Sequence, residues 1–274
     1  MNQKFIFLDI DGTLVDKGGV IPESATKAIT KAREQGHKVF VCTGRSRCEI
    51  HDYILKAGID GIVGSAGAYV ELDSKVIYHR PMTEAMNKRL LDYFESRNMS
   101  IFLETNDELL VNDIGLAYVA EHIRNCKKNN QPYDKAFFDL SAPLSEKEHP
   151  ETLPVNKLLY VTTEYDPEDV KRDLKAEFTV VDSAIALPGN SGELSELGMH
   201  KGKGIDVVIQ YFNADIKDTI GIGDGENDIE MLKSAGVAIA MGNANPKLKT
   251  VADFVTTNID EDGLWNAFEW CELL

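Results

Sequence analysis

Short apolar runs that end in glycine-containing loops recur along this chain and constrain its fold most strongly. Lys4–Ile10, Lys38–Cys42 and Thr219–Ile222 are rich in β-branched and aromatic residues, and a loop with glycine follows each. Such short, continuously apolar runs are typical of buried parallel strands. A helical pattern lies between the first two runs, with Pro22 near its start and Gly36 after its end. This alternation predicts βαβ units.

The C-terminal part repeats the same pattern. A helix is predicted over residues 227–234, a strand over 237–240, another helix near Pro246 and a last strand over 254–256. Both ends of the chain therefore predict an α/β fold with a doubly wound, Rossmann-like parallel sheet. Ligands of such sheets bind beyond the carboxyl ends of the strands.

The middle of the chain differs in pattern. It predicts longer helices such as Glu84–Arg97, strands such as Ser100–Glu104 and Lys157–Thr162, and a long loop over residues 129–154. We interpret it as an inserted α+β module, entered near Arg80. The predicted domains are a core of residues 1–81 and 188–274 and an α/β cap of residues 82–187. Two connections between them would allow the cap to hinge over the strand ends.

Composition limits the classes of partner. The 274 residues are 43% apolar and 27% charged, an ordinary mixture for a globular protein, and the formal net charge is −16. Nucleic acid and an anionic membrane surface would both be repelled by this charge, so neither is expected as a partner. An acidic protein that handles an anionic substrate must neutralise it locally, with a metal ion or a few cationic side chains.

The remaining general features are those of a cytoplasmic protein. Four cysteines show neither metal-ligand spacing nor a disulfide framework, so we expect reduced thiols. The first apolar stretch, of about five residues, is too short for a signal peptide or a membrane span. We expect a monomer or a weak homodimer.

Acidic residues follow two of the predicted strands. Asp9-Ile10-Asp11-Gly12-Thr13 comes after the first, and its turn can bring the carboxylate of Asp9 and the carbonyl of Asp11 around one point. Such geometry suits Mg²⁺, which prefers oxygen ligands and takes one or two carboxylates. The loop Gly223–Asp228 could supply the remaining carboxylate. Either motif alone is compatible with an ordinary turn or helix cap.

The order of four motifs resembles that of the haloacid dehalogenase superfamily. Asp-x-Asp-Gly-Thr is followed by Thr43-Gly44-Arg45, then by Lys201-Gly202, and then by Gly-Asp-Gly-x-Asn-Asp, each in the expected context of strand or helix. Met241-Gly242-Asn243-Ala244 and the segment from residue 252 to 264 are similar to the Cof-type branch. The resemblance covers the two outer segments well and the cap only in size and position.

The resemblance implies a role for each matching residue. Asp9 would attack phosphorus and form an aspartyl-phosphate, while Asp11 would serve as general acid and then as general base. Mg²⁺ would be held by the Asp9 carboxylate, the Asp11 carbonyl and Asp224. Lys201 would neutralise the charge of the nucleophile and the phosphoryl group. Lys203 lies nearby, but Gly-x-x-Lys-Gly matches at Lys201.

Other matching positions would bind the phosphate. Thr43 would donate to a phosphate oxygen, helped by the backbone of Ile10 and Gly44. Asn227 is expected to orient the phosphate, and Asp228 is a possible support of the metal waters or of Lys201. The sequence departs from the pattern at Ala66, where many Cof-type relatives carry asparagine, and this puts a contact near the substrate in doubt.

The resemblance implies hydrolysis of small phosphate monoesters such as sugar phosphates. The histidines are scattered, and Cys42 has no phosphate-binding sequence around it, so a phosphohistidine or cysteine mechanism is not favoured. Two alternatives stay open: a phosphosugar mutase, and a sugar-phosphate-binding protein without activity. The presence of Asp9, Asp11, Lys201 and Asp224 together argues against the second. The partner would be a small phosphorylated metabolite.

Overall fold

The computed structural model of the chain describes residues 2–131, 133, 135–183 and 188–274. These residues divide into two units. The first consists of Met1–Arg45, Ile50–His79 and His200–Leu274, and the second of Ser46–Glu49 and Arg80–Met199.

The described residues form one eight-stranded and one six-stranded sheet. The strands are β1 (Phe5–Leu8), β2 (Lys38–Cys42), β3 (Gly61–Gly64), β4 (Tyr69–Leu72), β5 (Lys75–His79), β6 (Ser100–Glu104), β7 (Leu109–Val111), β8 (Ser141–Pro143), β9 (Lys157–Thr162), β10 (Phe178–Asp182), β11 (Asn190–Glu196), β12 (Thr219–Gly223), β13 (Val237–Ala240) and β14 (Phe254–Val255).

The helices connect and cover these strands. They are α1 (Glu23–Glu34), α2 (Asp52–Leu55), α3 (Glu84–Glu95), α4 (Asp113–Lys128), α5 (Lys135–Asp139), α6 (Pro167–Leu174), α7 (Lys201–Phe212), α8 (Ile229–Ser234), α9 (Pro246–Lys249) and α10 (Gly263–Trp270). Within the described part of the chain, no helix is long and apolar enough to cross a lipid bilayer.

The sheet of the first unit has the predicted doubly wound arrangement. Its strand order is β14-β13-β12-β1-β2-β3-β4-β5, and the pairs from β14 to β3 are parallel. The last two strands, β4 and β5, add antiparallel. All four residues of β1 are buried, because this strand lies in the middle of the sheet between β12 and β2. The predicted α/β fold is confirmed.

Helix α1 illustrates how the sequence pattern produces packing. Ala25, Ala28, Ile29 and Ala32 recur at helical spacing, and all four are buried in the core of the first unit. The chain then turns at Gly36, whose φ of 89° is strained for residues other than glycine. Strand β2 begins two residues later, so the carboxyl ends of β1 and β2 lie at the same edge of the sheet.

The sheet of the second unit is covered on both faces. Its order is β10-β11-β9-β6-β7-β8, with antiparallel pairs throughout except β7 with β8. Leu158 and Tyr160 of β9 pack in one hydrophobic cluster with residues of α3 and α6, whereas Leu159 and Val161 pack in another with residues of α4 and α5. Alternate side chains of one strand therefore enter two separate cores.

Two expectations for the middle of the chain were wrong. The predicted end of the cap, residue 187, lies outside the described residues, but β11 pairs with β9 and β10 and so belongs to the second unit, not to a core that resumes at residue 188. The sequence of β11, NSGELSE, is polar. Backbone pairing with both neighbours forms this strand although it has no apolar pattern.

The predicted long loop over residues 129–154 contains α5 and β8. Helix α5 packs in a hydrophobic cluster through the buried side chains of Phe137 and Phe138.

Candidate active site

The acidic motifs meet at the carboxyl ends of β1 and β12 in the first unit. Asp9 follows β1 directly and is 5% exposed, and its backbone N–H donates to the carbonyl of Ile222 at 2.9 Å. Asp224 follows β12, the parallel neighbour of β1. Because the two strands run in register, their loops present both carboxylates at one edge of the sheet.

Lys201 stands at the start of α7 and bridges two carboxylates. It is 1% exposed, and its Nζ lies 2.5 Å from Oδ1 of Asp9 and 2.5 Å from Oδ1 of Asp228. Although burial acts to lower it, the pKa of Lys201 is raised, because the charges of Asp228 and Asp9 stabilise the ammonium form. A Cβ at Gly202 would lie 2.2 Å from Oγ of Ser234, so glycine allows α7 to pack closely against α8. The two carboxylates keep Lys201 charged, and the close packing of α7 holds it in its buried position.

Asp228 binds both Lys201 and the backbone of its own loop. Its Oδ2 accepts from the backbone N–H groups of Asp224 at 3.0 Å and Gly225 at 2.9 Å, while Oδ1 accepts from Lys201. A Cβ at Gly223 would lie 2.5 Å from Cγ of Asp228, which explains the glycine at that position. Both oxygens of Asp228 are therefore engaged within the protein.

Asp224 is oriented by the turn that follows β1. Thr13 donates its hydroxyl to Oδ1 of Asp224 at 3.1 Å. Gly12 has a φ of 88°, and a Cβ there would lie 2.2 Å from Oδ2 of Asp224. The Gly-Thr pair of the first motif thus makes room for the carboxylate of the last motif and binds it.

Three carboxylates form a group that could hold a cation. One oxygen each of Asp9, Asp224 and Asp228 lies within 4.8 Å of the others. Burial, and then the charge of Asp228, raise the pKa of Asp9 to about 8 and that of Asp224 to about 6. Since Asp228 is already bound by Lys201 and two N–H groups, Asp9 and Asp224 are the carboxylates best suited to be metal ligands. Carboxylate oxygens are the donors that hard divalent cations prefer, so the residues fit a metal such as Mg²⁺.

The predicted phosphate-binding residues lie along the neighbouring loop. Thr43 follows β2, is 1% exposed, and its Oγ1 accepts from the backbone N–H of Arg45 at 3.1 Å. A Cβ at Gly44 would lie 3.8 Å from Nδ2 of Asn227, so these two positions are neighbours. The side chain of Ile10 is buried in the core, which leaves only its backbone to face a ligand.

The sequence interpretation did not include Arg45 among the site residues, although it quoted the Thr-Gly-Arg motif. Arg45 binds the carboxylate of Asp11 with two hydrogen bonds, from Nε to Oδ2 at 2.9 Å and from Nη2 to Oδ1 at 2.6 Å. The Asp11 side chain is 62% exposed, unlike that of Asp9. A bidentate pair of this kind fixes the plane of the carboxylate as well as its position.

The segment with Ala66 has an unusual backbone. Ser65 and Ala66 have φ values of 51° and 52°, in the left-handed region where asparagine is better tolerated than alanine. A Cβ at Gly67 would lie 2.3 Å from the carbonyl oxygen of His200, the residue before Lys201. The turn therefore packs against the start of α7 through its backbone.

Cys42 is not placed to act as a nucleophile. The residue is buried, and its sulfur lies 3.8 Å from the carbonyl oxygen of Lys201, to which the thiol donates. Burial raises the pKa of the thiol, so the reactive thiolate form is disfavoured.

Comparison with known proteins agrees with this geometry. Residues 6–268 match the family profile of the haloacid dehalogenase-like hydrolases. The chain is 32% identical to the protein YkrA of Bacillus subtilis (strain 168), over 100% of both chains. It is 30% identical to the 5-amino-6-(5-phospho-D-ribitylamino)uracil phosphatase YitU of the same organism, over 94% of each chain.

A solved structure extends the similarity to the fold. The sugar phosphatase BT4131, of subclass IIB of the superfamily, superposes with a TM-score of 0.77 at 27% sequence identity, covering 99% of this chain and 100% of that one. The match in sequence spans nearly the whole chain, and the match in fold includes both units. The chain therefore belongs to the haloacid dehalogenase-like hydrolase family, Cof type, and is a phosphoric monoester hydrolase.

Proposed function

We propose that the protein hydrolyses small phosphorylated metabolites, sugar phosphates or similar esters, in a Mg²⁺-dependent reaction that passes through an aspartyl-phosphate on Asp9. The observation that carries this proposal is the buried contact of Asp9 with Lys201, beside the carboxylates of Asp224 and Asp228. An anionic nucleophile is useful toward an anionic phosphate only where such cations are at hand.

The metal would be held by the carboxylates of Asp9 and Asp224 together with the backbone carbonyl of Asp11. When bound, Mg²⁺ would offset the repulsion between the nucleophile and the phosphate and stabilise charge on the transferring group. Asp228 would support this set from behind, since both of its oxygens are bound by Lys201 and backbone N–H groups.

In the first step, an Asp9 oxygen forms a bond to phosphorus while the bond from phosphorus to the ester oxygen breaks. Asp11 gives its proton to the leaving alkoxide, which departs as an alcohol. In the second step, Asp11 takes a proton from a water molecule that attacks phosphorus. The bond between Asp9 and phosphorus breaks, and inorganic phosphate is released with the Asp9 carboxylate restored. The pair with Arg45 orients the ionised carboxylate of Asp11, which is the form that takes the proton in the second step.

The phosphate itself would be bound by groups from three loops. Thr43 offers its hydroxyl, Ile10 and Gly44 offer backbone N–H groups, and Lys201 neutralises charge beside Asp9. Asn227, the neighbour of Gly44, would donate to a phosphate oxygen, and its closeness to Gly44 supports this role. The printed names of two relatives support the substrate class, because BT4131 is named a sugar phosphatase and YitU a phosphatase of a phosphoribityl compound.

The proposal is tested by phosphate release from a panel of sugar phosphates, pyridoxal phosphate and p-nitrophenyl phosphate, with Mg²⁺ and with a chelator. We compare the wild type with Asp9→Asn and with Asp92→Asn, which makes the same change on an exposed face of α3. We expect Mg²⁺-dependent release that is abolished only in the first variant. Release that persists in Asp9→Asn, or that is equal with chelator, would contradict the proposal.

A further inference from the structure

The loop after β13 contacts Asp224, the proposed metal ligand, and the turn after β1 that contains Gly12. Met241 donates its backbone N–H to the carbonyl of Gly223 at 2.9 Å, and Gly242 donates to the carbonyl of Thr257 at 2.9 Å. A Cβ at Gly242 would lie 2.5 Å from the backbone nitrogen of Asn258, so the glycine permits close packing of the two chain segments. The next residue, Asn243, is thereby brought to the end of β12.

Asn243 uses both ends of its side-chain amide. Its Oδ1 accepts from the backbone N–H of Ile259 at 2.9 Å. Its Nδ2 donates to the carbonyl oxygen of Gly12 at 2.9 Å and lies 3.4 Å from Oδ2 of Asp224. The opposite amide orientation would set an oxygen against two acceptors, so the partners determine which atom is the donor.

These bonds complete the orientation of Asp224. Thr13 donates to Oδ1 of Asp224, and Asn243 donates to Oδ2, so each oxygen of the carboxylate has a donor from a different loop. Asn243 also binds the carbonyl of Gly12. Because Gly12 has no Cβ, it leaves room for the carboxylate of Asp224. The plane of the Asp224 carboxylate is thus fixed from two sides.

Packing does not explain this arrangement. Asn243 is exposed to solvent, and its side chain adds nothing to the hydrophobic core of the first unit. A carboxylate that binds a metal is expected to have such hydrogen-bonding partners, because a fixed plane presents its remaining lone pairs in one direction.

We propose that Asn243 is a positioning residue that orients Asp224 and the Gly12 turn for binding of the divalent metal. This inference rests on the proposed metal-dependent function and deepens it. Asn243 acts through Asp224 and does not itself touch the metal or the substrate.

The test is titration calorimetry with Mg²⁺ alone, on the wild type, Asn243→Ala and Asn266→Ala. Asn266 is a matched control, because its amide binds Thr257 and Glu261 in the adjacent segment but neither Asp224 nor Gly12. We expect Asn243→Ala to bind Mg²⁺ about 10–100-fold more weakly than the wild type, the usual effect of losing a partner of a metal ligand. Asn266→Ala should bind like the wild type.

Thermal unfolding in chelator distinguishes an effect on the orientation of the metal ligand from a general loss of stability. Equal Mg²⁺ affinity in Asn243→Ala and Asn266→Ala would overturn the inference. A loss of Mg²⁺ affinity that is accompanied by a similar fall in the Tm of both variants would also overturn it. Asn243→Ser, which keeps a small polar side chain too short to reach Gly12, replaces the alanine variant if that variant does not fold. A wild type that binds no Mg²⁺ would overturn the proposed function together with this inference, whereas a wild type that binds it leaves only the role of Asn243 in question.

Discussion

At the scale of single residues, two contrasting carboxylates follow β1. Asp9 is buried and bound to a buried lysine, while Asp11 is largely exposed and bound to an arginine. Their environments suit the different tasks that we propose for them. A nucleophile benefits from exclusion of water and from fixed cations, whereas a proton donor and acceptor must meet the leaving group and then water.

The contact of Arg45 with Asp11 leads to a first prediction. Replacing Arg45 with alanine frees the Asp11 carboxylate to rotate, and we expect kcat to fall by about 10–100-fold, less than for Asp11→Asn. Arg45→Lys should recover only part of the rate, because an ammonium cannot form the bidentate pair. The measurement is steady-state kinetics at saturating Mg²⁺. A kcat of Arg45→Ala equal to that of the wild type would rule out a positioning role.

His37 gives a prediction for pH. It is buried, and its Nδ1 accepts from the backbone N–H of Lys4 at 3.1 Å. Burial, and then the charge of Lys4, lower its pKa below the ordinary value of 6.5. The unfolded chain therefore binds a proton at His37 more readily than the folded chain, so stability is lost as the pH falls below about 6.5.

Asn is a suitable replacement, because its side-chain oxygen can accept from the same N–H but does not titrate. We expect the wild type to lose more free energy of unfolding than His37→Asn between about pH 7.5 and about pH 5.5, by at most about 1.4 kcal/mol per pH unit. Chemical denaturation at the two pH values measures the difference. Parallel losses in both proteins would show that His37 does not titrate in this range.

At the scale of secondary structure, the second unit contains a buried ionic cluster across three strands. Lys157 of β9 is paired in register with Glu104 of β6, and its Nζ lies 3.4 Å from Glu104 and 2.8 Å from Glu193 of β11. Burial, and then the charge of Glu49, raise the pKa of Glu104. The lysine is thus the cation that compensates several carboxylates.

Removal of this cation should be costly for the second unit. We expect Lys157→Met to lower the free energy of unfolding by about 3–5 kcal/mol, because it leaves buried carboxylates uncompensated. Lys88→Met, which removes an exposed pair with Asp92, should change it by no more than about 0.5 kcal/mol. Denaturant unfolding measures both. Equal stability of the two variants would mean that the cluster is not held by Lys157.

Elements with a strong apolar pattern could be predicted from the sequence, and those without one could not. Lys38–Cys42, Ser100–Glu104 and Lys157–Thr162 were predicted with the bounds observed. β11 was missed, because its polar residues are held by backbone pairing with two neighbouring strands. Such pairing between distant segments leaves no local signal.

Some features of the candidate site could likewise be predicted from the sequence, and others could not. The gathering of Asp9, Lys201 and Asp224 was predicted because each lies in a recognisable motif at a strand or helix end. The bond of Arg45 to Asp11 and the contacts of Asn243 were not, because they join side chains of separate loops whose approach depends on the complete fold.

At the scale of the whole molecule, the chain combines a formal net charge of −16 with a substrate that is also anionic. The four motif loops all belong to the first unit. Metal binding at Asp9 and Asp224 should therefore stabilise the fold of that unit, because these carboxylates are brought together only when it is folded.

We expect Mg²⁺ at about 100 times its Kd to raise the free energy of unfolding by about 2.7 kcal/mol. The increase should disappear in chelator and in Asp224→Asn, which lacks one proposed ligand. Thermal unfolding with and without Mg²⁺ measures it. An equal increase in Asp224→Asn would indicate general screening of the acidic surface instead of binding at this site.

The covalent step at Asp9 is the central claim, and acid quenching of the first turnover tests it most directly. The enzyme is mixed with Mg²⁺ and a sugar phosphate radiolabelled in its phosphate, quenched within one turnover, and mapped by peptide analysis. The account predicts label on Asp9 that requires Mg²⁺ and is absent from Asp9→Asn. Turnover without protein-bound label, or label on another residue, would contradict it.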